Sequence, residues 1–195
     1  MTPPPAGPRI PPLAPSDWPV EMRAALAAMR PANPRLSFPP ADPNRPKALN
    51  ALGTLAQHPT LAHAFNSFNG HILFGTSLSA RQRELVILRV AARRESTYEW
   101  TQHVILAGDA GITPEELDQV TEGPDAGEWS PLDGALVRAV DELLADAMVT
   151  DGTWAVLAES LEVEQLMDLV FTVGAYDLLA MAFKSFGVAL DDDMK

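Results

Sequence analysis

Three helix-start signals crowd the stretch Leu78–Val120 and commit it to helices and tight turns. Ser79-Ala-Arg-Gln82 puts a hydroxyl where it can cap a helix N-terminus and an amide three residues on that can reach back, the reciprocal pattern of a capping box. A helix over about 80–94 follows from it. Ser96-Thr-Tyr-Glu99 repeats the signal almost at once and opens a second helix, which Gly111 stops. Thr113-Pro-Glu-Glu116 is a third box, with Pro114 at the first helical position, where its missing N–H is harmless.

The helical period places reactive side chains toward the interior. Glu84 shares a stripe with Ile87, Leu88 and Ala91, at the i+3, i+4 and i+7 spacings of one face. A carboxylate among apolar groups costs free energy unless it finds a partner. The inward face of the second helix carries Glu99, Trp100, His103, Leu106, Ala107 and Ala110, so the two helices offer Glu84 and His103 to one pocket.

The flanking sequence is helical too. Proline crowds 1–17, Ser16 or Asp17 can cap a short helix Pro19–Met29, and Pro31–Lys47 is a proline-rich strap with Leu36 and Phe38 as docking points. The expected organisation is an arm over 1–47, a helical domain over 48–190 and an acidic tail over 191–195. After Pro59, the positions Leu61, Phe65, Phe68 and Ile72 predict a core stripe; His58, His63 and His71 lie beside it without a partner motif. Beyond the Gly123–Gly127 loop, Ser130-Pro131 and Thr150 or Asp151 open two further helices, and a long apolar helix runs over about Val163–Phe186 to Gly187. No strand alternation or phosphate-cradling glycine run intervenes, so the expected fold is an all-α bundle of roughly seven or eight helices.

A formal charge of −12 argues against a sequence-independent nucleic-acid binder or a basic membrane-surface protein. No segment has the pattern of a signal peptide, and no apolar run is expected to span a bilayer uninterrupted, so a cytoplasmic protein without membrane or nucleic-acid partners is expected. The chain has no cysteine, which excludes a disulfide framework.

Arg83-Glu-Leu-Val-Ile-Leu-Arg-Val-Ala91, followed by Tyr98-Glu99-Trp100 and His103, resembles the core of the carboxymuconolactone decarboxylase family, in the superfamily of alkylhydroperoxidase D. The resemblance extends over about 50–190, where Gly174-Ala-Tyr176 and Ser185-Phe-Gly187 look like the family's final helix, with Ser185 where many relatives have asparagine. It implies a helical protein that assembles as a dimer, trimer or hexamer. Peroxidase members use a Cys-x-x-Cys pair, a histidine four residues after it and a glutamate on the preceding helix. Ser96 and Glu99 stand where the cysteines would be, His103 matches the histidine and Glu84 the glutamate. Without cysteine, dithiol peroxide chemistry is excluded, and the decarboxylase-like branch remains.

Loss of CO₂ from a small carboxylated lactone leaves electron density that the conjugated carbonyl accepts, so the reaction needs a proton donor and no cofactor or metal. On this reading His103 is the donor, Glu84 fixes its tautomer or takes up a proton, and Glu99 has a secondary catalytic role or a purely structural one in its capping box. Arg89 or Arg81 would grip the substrate carboxylate, and Tyr98, Trp100 and Tyr176 would shape the pocket. Glu99 and His103 with Glu84 nearby could also hold a metal, but no second histidine stands at a ligand spacing. Two other classes use the same residues: a non-catalytic helical oligomer that binds a small acid or a partner protein, and a proton-transfer isomerase or lactone hydrolase.

Overall fold

The structure is a computed structural model that describes residues 7–36 and 45–195; Phe38 lies outside the described residues. These residues form nine α-helices and no strand: α1 (Met22–Ala28), α2 (Leu49–Leu55), α3 (Pro59–Gly70), α4 (Ala80–Arg93), α5 (Thr97–Asp109), α6 (Pro114–Glu122), α7 (Pro131–Asp146), α8 (Asp151–Ser160) and α9 (Val163–Phe186). The all-α expectation holds, with one or two more helices than expected. The chain divides into two compact units, Met1–Gly75 with Met181–Lys195, and Thr76–Ala180.

In the first unit, α1 starts three residues later than expected. Trp18 precedes a proline and takes an extended conformation, so Ser16 and Asp17 sit in an isolated 3-10 turn and cap nothing. The proline-rich segment docks through its backbone: Arg9 and Ile10 donate to the Phe186 carbonyl, and Leu13 donates to Gly53. Gly53 is needed there, since a Cβ would meet the Leu13 carbonyl at 2.4 Å. The acidic tail has a structural use: the Asp191 carboxylate accepts from the Asn50 N–H at 2.7 Å and so caps α2.

The core stripe expected of α3 is shifted. Leu61 is 53% exposed, and the buried face is Ala62, Asn66, Asn69 and Gly70. Close packing of α1 decides this, because the Met29 backbone approaches Gly70 too nearly for any side chain, and Asn66 Nδ2 donates to the Ala25 carbonyl. His58 caps α3 through its ring, accepting from the Leu61 N–H.

In the second unit, α4 packs against α5, α6 and α7. Leu85, Leu88, Ala107, Ile112 and Val120 form a buried cluster, flanked by Trp100, Val104, Leu117 and Trp129. Each fully buried leucine contributes about 1.5–3 kcal/mol. Both flanking boxes form as expected, Ser79 with Gln82 and Thr113 with Glu116. Gly111, at φ 78°, closes α5 in a Schellman motif, with Ile112 N–H bonded to Ala107 and Gly111 N–H to Gly108.

The middle box does not form. Ser96 stands at the N-cap of α5, but its hydroxyl accepts no cap bond, and Glu99 turns inward instead of back over the helix end. The expectation that no segment is long and apolar enough to cross a bilayer is also corrected: α9 qualifies by length and composition, although half of its most apolar window is buried within the protein.

Candidate active site

Glu84 is fully buried on α4 and His103 is 5% exposed on α5; His103 Nδ1 lies 2.7 Å from Glu84 Oε2. The other carboxylate oxygen, Oε1, accepts from Arg83 Nε at 3.0 Å and Nη2 at 2.7 Å. Burial alone would push the Glu84 carboxyl up, but the His103 ring and the Arg83 guanidinium outweigh it and hold the group below the usual carboxylate range. An ionised carboxylate can only accept, so Nδ1 carries the hydrogen of this bond and Nε2 is left as the exchanging position of the ring.

Tyr176 of α9 closes one side. Its ring meets His103 edge-on, with centroids 5.0 Å apart and planes at 88°. Burial first, then the negative charge of Glu84, keeps its phenol neutral, against an opposing pull from Arg83.

Glu99 lies one turn before His103 on α5 and is 2% exposed. Both of its oxygens are buried without a hydrogen-bond partner, and so is the Ser96 hydroxyl. Burial pushes the Glu99 carboxyl up to about 8, against the downward pull of the nearby Ser96 hydroxyl and with a further upward push from Asp177. At neutral pH this carboxyl holds its proton, the reverse of Glu84. Ser96 also lines a cleft of about 270 Å³ together with Ala91, Ala92, Glu95, Thr97, Trp100 and Thr121.

The two arginines expected at the substrate carboxylate are engaged elsewhere. Arg81 is clasped by Glu116 and Asp133, at 2.5 and 2.9 Å. Arg89 forms a bidentate pair with Asp141 at 2.8 and 2.6 Å and donates to the Val120 and Thr121 carbonyls. Both tie α4 to its neighbours, because planar forks satisfy several acceptors at once.

The arginine beside the dyad is Arg83, which the sequence reasoning missed. Adjacent helix positions point about 100° apart, so periodicity gives no reason to pair Arg83 with Glu84. Trp100 joins the apolar cluster and borders the cleft, and Tyr98 is buried. Among the described residues no group of three His, Asp or Glu is arranged to hold a metal ion.

Comparison with known proteins bears on the family and the fold. Residues 59–142 match the carboxymuconolactone decarboxylase family. That segment belongs to the family. It contains α4, α5 and α6 whole, with Glu84, Glu99 and His103. No curated protein matches the chain.

Among solved structures, the debrominase Bmp8 in its apo form is 14% identical, with a TM-score of 0.68 over 95% of this chain and 93% of its own. An uncharacterized peroxidase-related protein from Ralstonia eutropha, described as an alkylhydroperoxidase AhpD core, is 19% identical, with a TM-score of 0.66 over 74% and 78%. A protein of unknown function from Agrobacterium tumefaciens is 15% identical, with a TM-score of 0.65 over 70% and 94%. At these identities the likeness is one of fold: alkylhydroperoxidase D-like and all-α.

Proposed function

We propose that the chain is a cofactor-free lyase that removes CO₂ from a small carboxylated lactone or a related vinylogous acid, with His103 as the proton donor. The observation that carries this reading is the buried 2.7 Å bond between His103 Nδ1 and Glu84 Oε2, which fixes the ring orientation and leaves Nε2 to exchange protons. The carbon–carboxylate bond breaks, its electron pair passes into the conjugated lactone carbonyl, and imidazolium Nε2–H delivers a proton to the dienolate carbon. Water restores that proton.

Charge supports the reading. Arg83 offsets Glu84, and Glu99 is neutral, so the carboxyls around His103 add no net negative charge in a chain of formal charge −12. An anionic substrate meets no repulsion there. Arg83 takes the place of Arg81 and Arg89 as the cation nearest the reacting groups, and the neutral Glu99 carboxyl is a second proton source on the same helix.

CO₂ release from carboxymuconolactone and a panel of carboxylated lactones and keto acids, measured for wild type and His103→Ala, tests the proposal. The expected result is a loss of about 100-fold or more in the variant, with its circular dichroism unchanged. Equal inertness of both proteins would overturn it in favour of a binding oligomer. Substrate consumed without CO₂ would favour an isomerase or lactone hydrolase.

A further inference from the structure

Two buried groups of the second unit are left without a task by the fold and by the His103–Glu84 pair. They are the Ser96 hydroxyl and the Glu99 carboxyl, both buried and both without a hydrogen-bond partner. The junction of α4 and α5 explains why. Glu95, at φ 51°, ends α4 in a Schellman motif, with Glu95 N–H bonded to the Ala92 carbonyl and Ser96 N–H to the Ala91 carbonyl. The Ser96 N–H that a capping box would offer to Glu99 is therefore already given away. Glu99 turns inward, and the N-terminus of α5 is left without a side-chain cap. Buried polar atoms without partners are rare in folded proteins, and each calls for a reason.

Their placement supplies one. Ser96, Glu99 and His103 follow one another at spacings of three and four residues, so they stand a turn apart on one stripe of α5. Ser96 lines the cleft of about 270 Å³, which is small for a ligand site and suits a single ring. The walls fit a flat molecule: Ala91 and Ala92 are small, and Trp100 offers an aromatic surface. Next along the stripe, a carboxyl whose two oxygens find neither cation nor donor keeps its proton, because an isolated buried charge is far costlier than a neutral acid. A carboxyl held neutral in this way donates a hydrogen bond as a hydroxyl does. The other acids nearby are accounted for: Asp177 is paired with Arg94, Glu84 with Arg83 and His103, and Glu95 is exposed to water.

We infer that Ser96 and Glu99 form an oxyanion site, in which the two donors hold the carbonyl oxygen of a small planar ring bound in the cleft. The identity of that oxygen rests on the lyase reading, in which the electron pair of the broken carbon–carboxylate bond runs into the conjugated carbonyl and leaves negative charge there. Hydrogen bonds to an oxygen strengthen as charge develops on it, so this pair of donors acts mainly in the transition state. The uncapped N-terminus of α5 adds the positive end of its helix dipole. His103, a turn further along the stripe, then meets the carbon skeleton of the same ring. Ser96 and Glu99 thus receive the charge, and the dyad supplies the proton.

The test titrates the full chain at neutral pH with 4-nitrophenol, a single ring whose ionised form carries its charge on one oxygen and absorbs in the visible. The expected result is a bound ligand enriched in phenolate. Its affinity should fall about tenfold or more in Ser96→Ala and in Glu99→Ala, and be largely restored in Glu99→Gln, whose amide keeps a donor. 4-Nitrotoluene, which has the shape without the oxygen, should bind wild type and variants alike, and circular dichroism should be unchanged throughout. In CO₂ release from carboxylated lactones, Ser96→Ala should lower kcat by about 100-fold and leave KM nearly unchanged. No phenolate binding, or equal binding by wild type, Ser96→Ala and Glu99→Ala, would overturn the site whether or not CO₂ is released. Phenolate bound in the expected order without CO₂ release would uphold the site and overturn the lyase reading alone.

Discussion

α4 presents charge on two of its faces, and they are used in opposite ways. Toward α6 and α7, Arg81 and Arg89 are each clasped by carboxylates, and Arg89 by two backbone carbonyls as well. That face is closed, and its charges hold helices together. Toward α5, Glu84 is as deeply buried as any leucine of the core, yet its partner His103 keeps a ring nitrogen out of the pair. Glu99, a helix away, keeps a whole carboxyl unpaired. Buried polar groups without partners are costly, and their collection on the helix that carries His103 is what supports the proposed site.

The largest expected effects fall on α4 itself and would break the contrast between its faces if they coincided. Glu84→Ala strands His103 and Arg83 in the interior and should cost about 3–5 kcal/mol of folding free energy. Arg89→Ala leaves Asp141 and two carbonyls short of a donor and should cost about 2–4 kcal/mol. Denaturant unfolding measures both. The contrast appears in turnover per folded molecule: Glu84→Gln should lose about 100-fold, while Arg89→Ala keeps the wild-type rate. Equal losses would mean that the arginine face is also part of the chemistry.

The two buried carboxyls make a finer comparison, since their environments pull them in opposite directions. Glu84 is held below the ordinary range, so the stability it contributes is present at neutral pH and is lost on acidification. Glu99 titrates near 8 when folded, so the folded protein keeps a proton that the unfolded chain releases from about pH 4.3 upward. Its contribution is intact below that pH and fades as pH rises toward 8. Glu99→Gln removes this titration. Relative to wild type it should gain about 1–3 kcal/mol between pH 5 and pH 8, read from urea unfolding at each pH. A difference that stays constant across this range would mean that water reaches the carboxyl.

The smallest effects separate the two N-caps on α4 and α5, which look alike in sequence. Ser79→Ala removes a formed capping box and should cost about 1 kcal/mol. Ser96→Ala removes a hydroxyl that caps nothing, and thermal or chemical melts should move by less than about 0.5 kcal/mol. If the two costs were equal, Ser96 would be a cap in solution and Glu99 would be drawn back to the helix end.

Much of this architecture was legible in the residue order. Helix starts at Ser79, Thr113, Ser130 and Thr150 rest on a side chain reaching a backbone N–H three residues on, and the Gly111 stop rests on one positive φ. Such signals are local and survive almost any tertiary arrangement. The pairing of Glu84 with His103 was legible because each lies on the buried face of its own helix and the helices are consecutive. The shifted face of α3, the tail carboxylate that caps α2, and Arg83 beside the dyad were not legible. The first depends on how closely α1 can approach, and the second on a contact between distant parts of the chain. The third depends on a long side chain bending out of its own helical stripe.

By itself the sequence determined an all-α chain, the absence of thiol chemistry, and a glutamate and a histidine turned inward on neighbouring helices. These follow from composition and from the 3.6-residue period. Only the tertiary structure decided which partner each charge meets. Arg81 and Arg89 look as available in the sequence as Arg83 does, and Ser96-Thr-Tyr-Glu99 looks as good a cap as Ser79-Ala-Arg-Gln82. The free energy of a buried charge is set by what packs around it, and those neighbours come from helices far away along the chain.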